Sequence, residues 1–333
     1  MIRQGGWTFA RRAAYLALTV CATLGVGTCV KRFYPWGLEA TLSGHTANVC
    51  CVSFSPCGDF VASGADDGTA AVWDIERRRC LCVLSIHADM VSAIAFMNDG
   101  DWLATGGRDG KVAVWDWAAG IVRHALKGST ANPVYAIASI PGASRVAVGS
   151  SDGSVKIWDV IRDDVVNVGM HSAAVVSLAA NTDGTLLASM SSDGVIRLWG
   201  IGDPRAITSI WTADPYGGYS LSRVAFAPNG KMIVANTMRH AVIFDVATGR
   251  KLKQLKADVR LPMSGVAFSH DGRLVWGVFL SRMVVAWRVD TGDAECVFWS
   301  RGGASLAVSP DGTRLATDGS WNQVLVWDIR RLP

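Results

Sequence analysis

Short apolar runs of four to seven residues alternate with small polar clusters along most of the chain. Val49 to Phe54 leads into Ser55-Pro56-Cys57-Gly58, Phe60 to Gly64 into Asp67-Gly68, and then Thr69 to Asp74 follows. Such runs are too short for stable helices and are rich in Val, Ile, Ala and Trp, so they predict strands buried on both faces. Turn dipeptides separate them at two recurring places. The first hairpin carries Asp99-Gly100, Asp183-Gly184, Asn229-Gly230, Asp271-Gly272 and Asp311-Gly312. The second carries Asp67-Gly68, Asp109-Gly110, Asp152-Gly153 and Asp193-Gly194. These pairs supply the positive φ that tight hairpins need.

The pattern has a long period. Trp73, Trp115, Trp158, Trp199, Trp287 and Trp327 each close a strand-like run, with Phe244 in the one gap, at spacings of 42, 43, 41, 45, 43 and 40 residues. Seven copies of one unit run from about residue 37 to the end. With its Trp-Asp pairs at 73–74, 115–116, 158–159 and 327–328, this series resembles the WD-repeat β-propeller family over about 90% of the chain. The resemblance implies an all-β fold of seven four-stranded antiparallel blades around a channel. The seventh unit lacks its outermost strand, and Leu38 to Leu42 precede any complete blade. The expectation is therefore a ring closed by the N-terminal strand. The chain then divides into an N-terminal segment, 1–35, and a monomeric propeller, 36–333.

The resemblance also implies a buried polar chain within a blade, from Trp through Ser/Thr and His to Asp. Carried over by position, blade one supplies His45, Ser63, Asp67 and Trp73, and blade two His87, Thr105, Asp109 and Trp115. Blade four supplies His171, Ser189, Asp193 and Trp199. Blade three departs, with Val148 at the hydroxyl position and Ser129 near the His position, which makes Asp152 a turn residue. Blades five, six and seven have Met238, Ser281 and Trp321 in place of Asp, so all four departing blades are expected to rely on apolar packing. Ser, His and Asp recur at a spacing that the repeat explains, which argues for structure rather than a catalytic triad. No histidine pair has metal-ligand spacing and there is no Cys-x-x-Cys, so no metal or cofactor is expected. Of the eight cysteines, Cys50 or Cys51 with Cys82 would span three strand spacings, about 14 Å, too far for a disulfide. Cys57 with Cys80 is conceivable, but small buried apolar side chains are the favoured reading.

Composition narrows the class. Half of the 333 residues are apolar and 18% are charged, against roughly 25% in a typical soluble domain. That excludes disorder and a coiled coil. Of the 32 basic residues, five precede Glu39, the first acid, leaving 27 against 28 acidic residues in the rest. The body thus has no general excess of positive charge, which argues against a nucleic-acid binder. Residues 13–30 are uncharged and would span about 27 Å as a helix, near the thickness of a bilayer core. This predicts one hydrophobic N-terminal helix: an uncleaved membrane anchor, a cleaved signal or an untargeted hydrophobic leader. Three Arg before it against Lys31 and Arg32 after it place the body on the outer side, or in a secreted or periplasmic space if the leader is cleaved.

Two functional classes remain. The first is a non-catalytic platform binding protein partners through the propeller's loop face, tethered to a membrane through residues 13–30. Its candidate contacts are Asn48, Asp66, Met90 and Arg108 in blades one and two, and Arg239 and Arg282 in similar turns. To these are added Trp211, Tyr216 and Tyr219 in or near the longest connection, and Trp321. Trp211 and Trp321 serve equally well as core filling, while Trp102, Trp276 and Trp299 read as core. The second class is a propeller enzyme or small-ligand sensor with a site at the channel mouth. It is demoted because the innermost strands of blades one, two and four offer small hydroxyls but no carboxylates.

Overall fold

The computed structural model describes residues 37–97, 100–126, 132–202, 206–211 (backbone only), 223–257, 261–280, 283–300, 303, 305–319 and 322–330. The hydrophobic N-terminal helix expected over 13–30 lies outside these residues. No helix among the described residues is long and apolar enough to cross a membrane.

Blade one shows why the repeat folds as it does. Val49–Phe54, Phe60–Ala65, Thr69–Asp74 and Arg79–Ser85 form an antiparallel sheet in chain order. The middle strands are buried almost throughout, as TAAVWD is from Ala70 on, while the outermost, RCLCVLS, is mostly exposed. Blades two to six repeat this, starting at Val91–Met97, Val134–Ile140, Val175–Ala180, Val224–Phe226 and Met263–Phe268. The turn glycines are left-handed: Gly68 has φ 77° and Gly153 φ 88°. At Gly153 a Cβ would also lie 2.4 Å from the His171 carbonyl oxygen, so this turn tolerates only glycine without a shift.

Blade seven is assembled from both ends of the described chain. Leu306–Val308, Arg314–Gly319 and Gln323–Asp328 supply three strands, and Leu38–Ser43 adds outside them. Ala40 faces Val326, Leu42 faces Val324 and Ser43 faces Gln323. Arg314 clamps the joint, its Nε and Nη2 each donating to Glu39 carboxylate oxygens at 2.9 Å.

The core is divided among the joints. Seven apolar clusters occur among the described residues, each drawing on two neighbouring blades. The cluster at the closing joint packs Ala40 and Leu42 with Val324 and Val326 against Val61, Trp73 and Ile75 of blade one. Leu42 is 1% exposed. Replacing it with Ala leaves a cavity where the two chain ends meet. Leu42→Ala is expected to lower stability by about 2–5 kcal/mol in urea unfolding, whereas Thr41→Ala at the exposed neighbour changes it by less than about 0.5 kcal/mol.

Candidate partner-binding face

Strand alternation puts the loops entering each innermost strand and the turns between second and third strands at one end of the propeller. Backbone bonds brace the two sets together. Asp66 N donates to Asn48 O, Arg108 N to Met90 O, Ser151 N to Pro133 O and Ser192 N to Ala174 O, all at 2.9 Å. Asn48 and Asp66 are also joined through their side chains, Nδ2 to Oδ2 at 3.3 Å. The Cys50 thiol donates to Asp66 Oδ1 at 3.1 Å and touches Met90 Sδ at 3.4 Å. Burial, and then that bond to Asp66, pushes the Cys50 pKa up. The exposed Arg108 guanidinium lies 5.8 Å from the centre of the Tyr135 ring. Asn48, Asp66, Met90 and Arg108 therefore form one continuous patch that bridges blades one and two. Arg239 is exposed at the same end, in the turn after Asn236. Tyr216, Tyr219, Arg282 and Trp321 lie outside the described residues, as does the side chain of Trp211, whose backbone ends the outermost strand of blade four.

Beneath the patch, polar chains hold the turns. In blade one, Trp73 Nε1 donates to Ser63 Oγ at 2.7 Å. Ser63 Oγ lies 2.8 Å from His45 Nε2, and His45 Nδ1 lies 3.2 Å from Asp67 Oδ2. The partners assign the proton to Nδ1 of a neutral ring, with Nε2 accepting from the serine. Burial pushes the His45 pKa down against the pull of Asp67. For Asp67 burial acts upward, but bonds from Thr69 and the Thr46 amide outweigh it and bring it to about 2. Blade two repeats the chain through Trp115, Thr105, His87 and Asp109, at 3.0, 2.9 and 3.0 Å.

Blade four departs from the expected chain. Trp199 Nε1 reaches Ser189 Oγ, and Ser189 reaches His171 Nε2, each at 2.7 Å. His171 Nδ1, however, has no partner. The carboxylate of Asp193 accepts from the Ser172 hydroxyl and the Val195 amide instead. A hydroxyl one residue after the histidine has taken its acceptor. Burial, reinforced by the Arg197 charge and opposed by Asp193, pushes the His171 pKa down to about 4.

The remaining blades are not purely apolar either. In blade seven Trp327 Nε1 donates to Thr317 Oγ1 at 3.2 Å, and in blade three Trp158 Nε1 reaches Asp163 Oδ1 at 3.3 Å. In blade six Trp287 Nε1 donates to the Lys256 carbonyl of blade five at 3.0 Å. Asp152 caps its own turn through the Ser154 amide and accepts from Asn132. Trp276 is buried, whereas Trp102 and Trp299 are only half-buried. The cysteine expectation also needs correction. All described cysteines are free, and only Cys51 and Cys296 are buried, because Cys57 sits in an exposed turn and Cys80 on an exposed outer strand.

The channel holds a feature that the residue pattern did not disclose. Side chains on or next to the inner strands, together with Asn236 at the end of blade five's second strand, bond across five of the seven joints. Ser92 Oγ donates to Val134 O, Ser177 Oγ accepts from Val224 N, Asn236 Nδ2 donates to Met263 O, Ser264 Oγ donates to Gly303 O, and Ser305 Oγ accepts from Val52 N. The serines occupy the second or third inner position, a signal that is legible only once neighbouring blades are placed side by side. A cavity of about 260 Å³ runs among the seven inner strands. In its lining Arg223 donates to Val176 O at 3.1 Å, and behind the lining residue Ser305, Asp318 accepts from the Ser305 and Gly303 amides at 2.6 and 3.3 Å. No group of three or more His, Cys, Asp or Glu suited to a metal ion occurs among the described residues.

Comparison with known proteins agrees with this geometry. The family model described as WD domain, G-beta repeat matches residues 36–74, 78–116, 120–159 and 165–200. The chain is 29% identical over 162 residues to WD repeat-containing protein SL1-17 of Schistosoma mansoni, covering 48% of this chain and 52% of that protein. It is 31% identical over 174 residues to a guanine nucleotide-binding protein subunit beta of Oryza sativa subsp. japonica, covering 47% and 44%. Against the small ribosomal subunit protein RACK1 of Neurospora crassa it is 25% identical over 127 residues, covering 36% and 39%. These matches thus span about half or less of each relative's length.

Two outcomes follow from the polar chains. Ser63→Ala leaves both the Trp73 N–H and His45 Nε2 buried without a partner and should cost about 2–4 kcal/mol in urea unfolding. His171 has a folded pKa below its unfolded value of 6.5. Between pH 6.5 and about 4 the unfolded chain therefore binds the extra proton, so stability falls as pH falls through that window. The urea midpoint of a His171→Gln protein should fall less over the same pH range than that of the parent.

Proposed function

This chain belongs to the WD-repeat β-propeller family, and on that premise we propose that it is a non-catalytic platform that binds protein partners through its loop face. The observation that carries the reading is the braced patch of Asn48, Asp66, Met90 and Arg108. It combines an acid, a base, an amide and a thioether, exposed or half-buried on turns that the polar chains hold in place. A rigid scaffold presenting mixed polar and apolar side chains is what specific protein recognition needs. The relatives named as a G-protein β subunit and a ribosomal-subunit protein support a role in assembly.

Catalysis at the channel mouth is the less supported reading. Arg223 in the cavity lining and Asp318 behind the lining residue Ser305 are engaged by backbone carbonyl and amide groups. The uncharged run 13–30, flanked by Arg11-Arg12 and Lys31-Arg32, supports placing the platform at a membrane surface, with the propeller on the outer side.

The test is capture by crosslinking with the full tagged chain and with its Asp66→Lys/Arg108→Glu double variant. A stoichiometric partner captured by the parent and lost at least tenfold by the variant is the expected result. A partner retained equally by both would move the binding surface elsewhere, and no partner from soluble or membrane fractions would overturn the platform reading.

A further inference from the structure

The overall charge balance conceals a strong local asymmetry. Between Arg223 and Ala257, blade five carries seven basic residues and one acid, Asp245. Everything else after Arg32 therefore carries 20 basic against 27 acidic residues. Four of the seven cations are consecutive or nearly so: Arg250, Lys251, Lys253 and Lys256. The last three lie on the outermost strand Lys251–Lys256, whose outer edge pairs with no described strand.

These cations are not spent on internal pairs. None of the four makes an ion pair among the described residues, whereas Arg123 pairs with Asp116, Arg145 with Asp159 and Arg314 with Glu39. Lys251 Nζ donates to Gln254 Oε1 at 2.7 Å, and Lys253 Nζ to the Asp290 carbonyl. Asp245, the one carboxylate nearby in sequence, accepts from the Thr248 amide and hydroxyl. Leu252, between two of the lysines, is 51% exposed, which adds an apolar contact to the strip.

We propose that the outer edge of blade five is a second docking site, which takes an extended acidic segment of a partner protein as a fifth strand beside Lys251–Lys256. The open edge pairs with no described strand and, apart from the Lys256 carbonyl that Trp287 Nε1 occupies, leaves its outward backbone N–H and C=O groups for a partner; strand addition is how such an edge recognises a peptide. Lysines on an edge repel basic strands and make pairing with neutral ones costly through desolvation of the unpaired charges, and the same charges admit an acidic one. The other outer strands lack this feature: AITSIW of blade four has no charge and AECVFW of blade six carries a glutamate.

The strip's shape selects the class of partner. Six residues span about 20 Å. On one side stand Asp290, Asp293 and Glu295 of blade six, next to Lys253, and on the other the uncharged strand of blade four. A bilayer or a nucleic-acid duplex would bring phosphates against those carboxylates. A single extended peptide is narrow enough to avoid them. This site is on the circumference and does not depend on the loop-face reading.

The test uses the full chain and a labelled ten-residue peptide alternating Glu with Val. The comparisons are its Gln counterpart, a fully N-methylated version, anionic phosphatidylserine vesicles and duplex DNA. One-to-one binding is expected to weaken at least tenfold for the Gln peptide, for the N-methylated peptide, and for the Lys251→Gln/Lys253→Gln/Lys256→Gln protein. The Lys251→Gln/Lys256→Gln protein, altered only at exposed positions, should show an intermediate loss with an unchanged urea midpoint, and the Asp66→Lys/Arg108→Glu protein should bind normally. Equal binding of the N-methylated peptide, or undiminished binding by the triple variant, would overturn strand addition at this edge. So would vesicles or DNA binding in a lysine-dependent way when the peptide does not.

Discussion

Everything in this propeller depends on closing the ring. Each of the seven apolar clusters is shared by two blades, so no blade owns a core. A single four-stranded sheet with both faces apolar cannot be stable alone, and a row of six or seven would leave two faces uncovered. Pairing Leu38–Ser43 with Gln323–Asp328 removes that liability. It does so across nearly the full length of the chain, a long loop whose closure is entropically costly. Leu42, buried under the joint, and the Glu39–Arg314 clamp over it lie where that cost must be offset.

The polar groups divide into two tiers with different duties. The Trp-centred chains run radially within a blade and fix the turn at its loop end. The inner serines, with Asn236, run circumferentially and tie five of the seven joints along the channel. The second tier bears on function as well as stability. With small hydroxyls used to satisfy backbone groups at the joints, the channel lining is largely committed, and exposed chemistry is left to the rim and the circumference.

How much of this was legible in the sequence differs by tier. The strands, the turns and the closing strand could be read because each follows from local rules: short apolar runs bounded by turn residues, Asp-Gly pairs that adopt positive φ, and a missing fourth strand. The spacing of ten residues between hydroxyl and indole also held more than it first disclosed. Ser63–Trp73, Thr105–Trp115 and Ser189–Trp199 share it, and so does Thr317–Trp327 in a blade expected to be apolar. Blade six shows the rule breaking for a steric reason. Gly277 stands ten residues before Trp287, and a Cβ there would lie 2.5 Å from the indole, so the ring's N–H turns to Lys256 of the preceding blade. The failure in blade four could not be read from spacing, because it turns on which of two neighbours, His171 or Ser172, wins Asp193. The inner serines escaped for a related reason: their partners are backbone atoms about 40 residues away or more, and backbone leaves no mark in composition.

Charge illustrates the same limit on a larger scale. Near-neutrality of residues beyond Arg32 describes the sum, but recognition acts over about a Debye length, roughly 8 Å at physiological ionic strength. On that scale the propeller is an alternation of local fields. The lysine-bearing edge of blade five lies against the carboxylate-bearing turn of blade six, and Asp66 and Arg108 face the solvent a blade apart. A repeat fold makes such contrasts easy to build. Most of each blade's core obligations fall on its inner and middle strands, as in LVWGVF and the Ala241–Phe244 run of HAVIFD, whereas KLKQLK on an outer edge commits only Leu255 to a joint and its lysines can change sign without touching that core. The surfaces of this propeller are therefore better read blade by blade than as a whole, since the constraint that closes the ring leaves its edges free to differ.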